Sequence, residues 1–170
     1  MRQRALFAAL ALCATCGATL ATAQQKHPLA RATAEGYYIE ERAIDVGDVS
    51  GHQARIYRIR FEYPKKDLVF LDVPVSESFT TGYSDYTGWS GEFSTYSVYV
   101  LEDGSRIFTR GGGNNQSQPD GSRRFSFVDN FIGGTGKFRG IRGQIRGFGE
   151  RGAGAQSLSD TSSGEYWIEE

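Results

Sequence analysis

The sequence predicts an all-β protein: a single eight-stranded antiparallel β-barrel behind a signal for export. Three observations predict it, namely short stretches of alternating apolar and polar residues, turn residues between them, and almost no helical periodicity. Alternation places successive side chains on opposite faces of a strand. Many short strands with regular turns are typical of a closed barrel or a sandwich, and closure removes the exposed strand edges.

The first 23 residues are predicted to be a signal peptide. Arg2 and Arg4 precede an apolar, alanine-rich run over residues 5–20, and residues 21–23 (Ala-Thr-Ala) supply the small residues that signal peptidase requires. The run is short of the roughly 20 apolar residues that span a bilayer. We therefore expect a secreted or periplasmic protein without membrane insertion. A buried N-terminal helix, and a lipoprotein anchored at one of the segment's two cysteines, are the alternatives.

Cleavage after residue 23 would leave 147 residues, enough for one domain with a core. Both cysteines lie in the predicted signal, so the mature chain has no thiol for a disulfide, a thiolate metal site or a nucleophile. Without Arg2 and Arg4 the 19 basic residues fall to 17 against 20 acidic residues, a net charge of about −3. A slightly acidic chain is not a general polyanion binder, and we expect no nucleic-acid partner.

The elements of the first half follow from their patterns. Residues 24–36 are polar and patternless, and we predict a flexible segment ahead of a domain that spans residues 37–170. Residues 37–44 are the first strand candidate. Residues 52–63 are the clearest strand, with Tyr57, Ile59, Phe61 and Tyr63 on one face and Arg58, Arg60 and Glu62 on the other. Residues 67–75 are apolar on both faces and predict a strand covered on both sides.

The second half continues with strands and loops. An Asp-Gly pair at residues 103–104 lies between two strand-like runs and is a strong hairpin signal, because both residues tolerate positive φ. Two glycine-containing segments are predicted to be loops, an aromatic one at residues 80–91 and a polar one at 111–122. The remaining predicted strands are residues 93–101, 106–110, 123–132, 138–148 and 165–168.

Residues 133–140, Gly-Gly-Thr-Gly-Lys-Phe-Arg-Gly, form the most distinctive motif. A phosphate-binding P-loop would have Ser or Thr in place of Phe138, and a dinucleotide fingerprint would have glycine in place of Arg139. We interpret the motif as a tight turn and bulge that lead into a curved strand. The Arg-Gly pairs that follow alternate with Ile141 and Ile145, and we interpret them as the solvated face of that strand.

Metal and hydrolase sites are not indicated. The mature chain has only His27 and His52, without ligand spacing to carboxylates, and no Gly-x-Ser-x-Gly motif. We expect no metal and no cofactor.

Aromatic residues along the strands suggest a pocket inside the barrel. An eight-stranded barrel is filled by side chains or holds one small ligand, and both alternatives stay open here. Tyr38, Tyr57, Tyr99 and Phe127 are the candidate ligand-binding walls. Charged residues within strands are the candidates for acid–base chemistry, because a carboxyl that faced inward would have a shifted pKa. Glu40 and Glu62 are the candidate catalytic residues.

The stretch from Tyr96 to Gly143, and above all Gly-Gly-Thr-Gly-x-Phe-x-Gly at residues 133–140, resembles the allene oxide cyclase and dirigent barrel superfamily. The resemblance implies an eight-stranded barrel that commonly trimerises, so a homodimer or homotrimer is expected. It also implies a pocket for an apolar substrate that is cyclised or coupled with few acid or base groups. Plant cyclases carry an acid and, two positions later, an amide, where this chain has Tyr38 and Glu40. Their pocket cysteine has no counterpart in the mature chain.

Two functions are therefore predicted. The first is an exported barrel that binds an apolar or aromatic small molecule and guides its cyclisation, isomerisation or coupling as a cofactor-independent isomerase. The second is a non-enzymatic barrel that contacts a protein or polymer through its predicted loops at residues 80–91 and 111–122.

Overall fold

A computed structural model describes residues 24–169, and the predicted signal peptide lies outside the described residues. Across these residues the chain forms nine strands and one 3₁₀ helix, Gly136–Phe138. The strands are β1 (His27–Asp45), β2 (His52–Glu62), β3 (Val69–Phe70), β4 (Val73–Thr87), β5 (Ser90–Leu101), β6 (Arg106–Ser117), β7 (Arg123–Gly134), β8 (Ile141–Arg151) and β9 (Ser157–Ile168).

Eight of these strands close into an antiparallel barrel. The order is β2-β1-β9-β8-β7-β6-β5-β4, and β2 pairs with β4 to complete the ring, while β3 pairs only with the start of β4. The predicted fold class, a single eight-stranded antiparallel barrel, is confirmed. Between residues 24 and 169 no helix has the length and apolar character needed to cross a membrane.

Strand β2 shows how alternation forms the wall. Tyr57, Ile59, Phe61 and Tyr63 each expose less than a tenth of their surface and point into the barrel, whereas the residues between them face outward. The predicted two-faced strand is confirmed. Interior side chains of neighbouring strands meet because antiparallel partners in register point to the same side.

The predicted flexible segment at residues 24–36 is instead mostly strand, since β1 begins at His27 and pairs with β9 over residues 27–37. The inward residues of this part of β1, Ala32, Ala34 and Gly36, are small. The segment therefore lacks the large apolar side chains by which a strand is recognised in a sequence. A Cβ on Gly36 would lie 2.6 Å from the Phe61 ring, so the small residues leave room for side chains of β2.

The two predicted loops at residues 80–91 and 111–122 are also largely strand, in β4 and β6. Their inward glycines accommodate neighbouring side chains rather than form turns. A Cβ on Gly82 would lie 2.3 Å from the Tyr57 ring, and a Cβ on Gly111 would lie 2.2 Å from a carboxylate oxygen of Asp129. A glycine makes a strand harder to recognise in the sequence, because it adds no side chain to the alternating pattern. In these strands it occurs where a neighbouring side chain occupies the space.

The hairpin of β3 with the start of β4 closes one end of the barrel, and we call it the plug. The prediction of one continuous strand at residues 67–75 is therefore wrong. Leu71 and Asp72 have positive φ values (44° and 63°), so the chain reverses there and β3 forms a hairpin with β4. The reversal buries Phe70 completely among Tyr99, Phe131 and Tyr166, with ring centroids 5.1–6.4 Å away.

The turn interpretation of residues 133–140 is confirmed. The β6–β7 register shifts at Phe108/Thr109, and the chain then turns through the 3₁₀ helix, which places Phe138 fully in the core. In the following strand Arg146 is exposed, as predicted for a solvated face. Arg151, at the end of the same strand, instead lines the barrel interior.

Candidate functional site: the barrel cavity

A cavity of about 90 Å³ occupies the barrel between the plug and the opposite, open end. The open end, here called the mouth, is formed by the β1–β2, β4–β5, β6–β7 and β8–β9 connections. The plug side is the continuous apolar core around Phe70. Because the core closes one end, a ligand could enter the cavity only from the mouth.

All four predicted wall residues line this cavity. Tyr57 and Tyr99 are buried, while Tyr38 and Phe127 are half-buried. The rings of Tyr38 and Tyr57 meet edge to face with centroids 5.6 Å apart. Their participation in ligand binding stays a prediction.

The two predicted catalytic glutamates lie on the outer wall. Glu40 is exposed, because a bulge between Tyr38 and Glu40 shifts the register of β1 so that Glu40 faces outward. Its backbone partner on β2 is Arg58. Glu62 is half-buried, and its carboxylate lies 2.8 Å from the guanidinium of Arg60. The structure therefore places neither carboxylate in the cavity, and their catalytic role stays a prediction.

Asp129 is a buried carboxyl on the cavity wall. It exposes 4% of its surface, and the hydroxyls of Thr95 and Thr109 donate hydrogen bonds to its two oxygens, at 3.1 and 3.3 Å. Glycine at position 111 of the intervening strand lets the side chain reach Thr95. Burial raises the pKa of Asp129 to about 6, although the two hydroxyls partly offset the rise.

Asp160 on β9 is a second carboxyl that lines the same cavity. Burial, and to a smaller extent the negative charge of Asp129, raises the pKa of Asp160 to about 7. No side chain of residues 24–169 donates a hydrogen bond to the Asp160 carboxyl. Because the charge of Asp129 affects the pKa of Asp160, the two carboxyls titrate as a coupled pair around neutral pH.

Hydroxyl groups line the cavity near the aspartates; we call this lining the floor. Tyr63 and Ser78 are hydrogen bonded at 2.9 Å, and Thr80 and Ser97 at 2.8 Å. Burial raises the pKa of the Tyr63 and Tyr99 phenols well above their ordinary value, so both stay neutral donors. The floor is thus polar but uncharged apart from the two carboxyls.

Arginines surround the mouth. Arg55 is buried and ion-pairs with Glu41, while Arg123 and Arg151 make no ion pair within the described residues. The guanidinium groups of Arg55 and Arg123 lie over the Trp89 ring, 3.8 and 3.3 Å from its centroid. Burial lowers the pKa of Arg123, and the charge of Arg151 lowers it further, although Arg123 stays protonated.

Sequence patterns missed the aspartates and the mouth arginines, yet a signal for some of them was present. Asp129 continues the inward alternation of Phe125 and Phe127 on β7, and Asp160 follows Leu158 two residues later on β9. The described part of the chain brings no three His, Cys, Asp or Glu side chains together as a metal site.

No family model matches the chain, and no curated protein matches it either. The cavity itself therefore provides the evidence for function.

Proposed function

We propose that the barrel binds a small apolar or aromatic molecule in its cavity and isomerises or cyclises it by proton transfer, with Asp129 and Asp160 as the acid–base pair. The observation that supports this most is a pair of unneutralised carboxyls inside an aromatic cavity that opens at one end. The resemblance to allene oxide cyclase and dirigent barrels agrees with the same class of chemistry.

The chemistry needs one carboxylate and one carboxylic acid at the same time. With pKa values of about 6 and 7, Asp129 is ionised and Asp160 protonated over much of the range between these values. The carboxylate takes a proton from a carbon next to a carbonyl, and the acid or a neutral tyrosine donates to the carbonyl oxygen as charge develops there. The isomerisation is complete, without a cofactor, when Asp129 returns its proton to another carbon and the oxygen gives its proton back to the group that donated it.

Hydrogen–deuterium exchange of 2-tetralone in D₂O, followed by NMR, tests the proposal. This fused-ring ketone has acidic protons beside its carbonyl, and exchange requires only the first half of the reaction. We expect the protein to accelerate exchange most between pH 6 and 7, because there one carboxyl is ionised and the other is not. Asp129→Asn and Asp160→Asn should each lose about 100-fold of the acceleration.

Glu92→Gln is the matched control, since Glu92 is an exposed carboxylate on the outer face of β5. It should leave exchange unchanged. Glu40→Gln and Glu62→Gln examine the sequence-based prediction in the same assay. Acceleration that survives both aspartate substitutions, or depends on a glutamate instead, would contradict the acid–base pair.

A second proposed function, contact with another protein chain, has support from the outer wall. Ile56 and Tyr83 are partners across β2 and β4, Tyr96 lies on the adjacent strand, and the three expose 62%, 46% and 55% of their surface. Apolar residues grouped in this way favour an interface, such as the expected homodimer or homotrimer. Light scattering should give an assembly mass for the wild type and a monomer for Tyr83→Glu; a wild-type monomer would count against it.

A further inference from the structure

We infer that the ligand is a compact ring compound with an anionic group at one end and a hydroxyl or carbonyl group at the other, bound with its anion at the mouth and its neutral polar group at the floor. This inference rests on the proposed binding of a small molecule in the cavity, and it adds the ligand's chemical class and orientation. Charge at the mouth, polarity at the floor and the length of the cavity each support it.

Positive charge at the mouth is not balanced by the neighbouring side chains. Arg151 and Arg55 both lie close enough to Arg123 to lower its pKa. Within residues 24–169 Glu41 ion-pairs with Arg55, and neither Arg123 nor Arg151 has an ion-pair partner. Like charges that are partly removed from water repel one another. An anion held by the guanidinium groups would relieve this repulsion, and a planar carboxylate suits their fork geometry.

The Trp89 ring contributes to the same end of the cavity. Its backbone has a positive φ of 68° in the β4–β5 turn, and the side chain of Asn115 donates a hydrogen bond to its carbonyl oxygen. The turn therefore holds the indole beside Arg55 and Arg123, where their guanidinium groups stack on it. Stacking fixes the arginines in place, so less rotamer entropy is lost when they bind an anion.

The floor favours a polar group over a methyl group. Hydroxyls of Tyr63, Ser78, Thr80 and Ser97 lie at this depth with the Asp160 carboxyl. The hydroxyls bond to one another, but the end of a long acyl chain would bury the Asp160 carboxyl without a hydrogen-bond partner, which is unfavourable. A hydroxyl can accept from a phenol or donate to the carboxyl instead, and a carbonyl can accept from a phenol or from the protonated carboxyl.

The wall between the two ends suits a rigid, flat body. Phe93, Phe125 and Phe127 line it together with Tyr57. Arg123 and Asp129 lie six residues apart on β7, which corresponds to about 20 Å of extended strand. Because the strands are tilted, the distance along the barrel axis is about 15 Å. The long arginine side chains reduce the distance between the guanidinium groups and the floor further. One or two fused rings fit this span.

Four probes test the inference by fluorescence or calorimetric titration of the full protein. They are 6-hydroxy-2-naphthoate, its methyl ester and 2-naphthoate, which each change one group of it, and decanoate. We expect 6-hydroxy-2-naphthoate to bind most tightly. Loss of the negative charge in the ester should weaken binding about tenfold, and loss of the hydroxyl in 2-naphthoate about fivefold. Decanoate, which has the anion but no ring or second polar group, should bind more weakly than 2-naphthoate.

Arg123→Gln and Arg151→Gln identify the anion site. Each should weaken 6-hydroxy-2-naphthoate about tenfold but leave the affinity for the methyl ester unchanged, a difference that a general loss of structure would not produce. Arg124→Gln and Arg146→Gln are the matched controls, because these arginines are exposed on the outside of the same two strands. Arg123→Lys keeps the charge and should recover part of the loss.

The outcomes distinguish a failure of the inferred ligand class from a failure of the proposed function in the cavity. Equal affinity for the acid and the ester would overturn the inference while the proposed cavity function stands, and so would decanoate binding most tightly. Binding of none of the four probes would overturn both. Affinity that depends on the charge, the hydroxyl and the two mouth arginines supports both.

Discussion

Replacing Asp160 by asparagine removes a carboxyl that the fold buries without neutralising it. Asparagine has nearly the same shape and cannot ionise, so the cavity keeps its form while the charge disappears. The folded protein holds this carboxyl at a pKa of about 7, against an ordinary value of 3.8. Between these two values the folded chain binds more protons than the unfolded chain, so its free energy of unfolding falls as the pH rises.

The size of the effect follows from that difference. Each pH unit by which the pKa is raised corresponds to about 1.4 kcal/mol, so ionised Asp160 destabilises the fold by up to about 4 kcal/mol above pH 7. Part of the carboxyl faces the cavity and is open to water, which places the realised value below this limit. Well below pH 3.8 the carboxyl is protonated in both states, and at pH 4 the wild type and the variant should still be nearly equal.

Guanidinium chloride denaturation at pH 4 and pH 8 measures the difference. Asp160→Asn should be more stable than the wild type by about 2–4 kcal/mol at pH 8, and by little at pH 4. Glu92→Gln, on the outer wall, should show no such dependence on pH. A variant that is less stable than the wild type at pH 8, or equally changed at both pH values, would refute the reasoning that Asp160 is buried without compensation.

Two further predictions address the plug and the mouth-side turn. Phe70→Ala should lower the free energy of unfolding by about 3–5 kcal/mol, because Phe70 is fully buried, whereas Val69→Ala next to it should change little; equal effects would contradict the plug. His52 lies 2.6 Å from both Asp48 and Asp85, which raises its pKa above 6.5. An NMR titration should give a value above 6.5 that falls in Asp85→Asn, and a value at or below 6.5 in the wild type would contradict the two contacts.

Strands with large apolar residues on one face could be predicted from the sequence. Tyr57, Ile59 and Phe61 alternate with charged residues, and the pattern of β2 alone indicates a half-buried strand. The first part of β1 and the second part of β6 escaped prediction because their inward residues are small. Gly36 and Gly111 leave space for the side chains of Phe61 and Asp129, so the side chains that fill these positions belong to the partner strands and not to β1 and β6.

The cavity was predicted in its aromatic part but not in its charged part. Tyr57 and Phe127 belong to visible alternating patterns, which place each of them on an apolar strand face, and closure of the barrel then directs that face inward. Glu40 and Asp129 could not be ranked in this way, because the bulge in β1 that turns Glu40 outward depends on pairing with β2. Arg151 appeared as one of several Arg-Gly pairs, and only barrel closure distinguishes it from exposed Arg146.

The central claim is that the barrel cavity binds a small molecule, and native mass spectrometry tests it most directly. The protein should be purified from its own host, and measured again after incubation with 6-hydroxy-2-naphthoate. Ser97→Phe fills the cavity, and Ser94→Phe places the same ring on the outside of β5. We expect a small-molecule adduct in the wild type and in Ser94→Phe, and no adduct in Ser97→Phe. No adduct under either condition, or an adduct that Ser97→Phe retains, would contradict the claim.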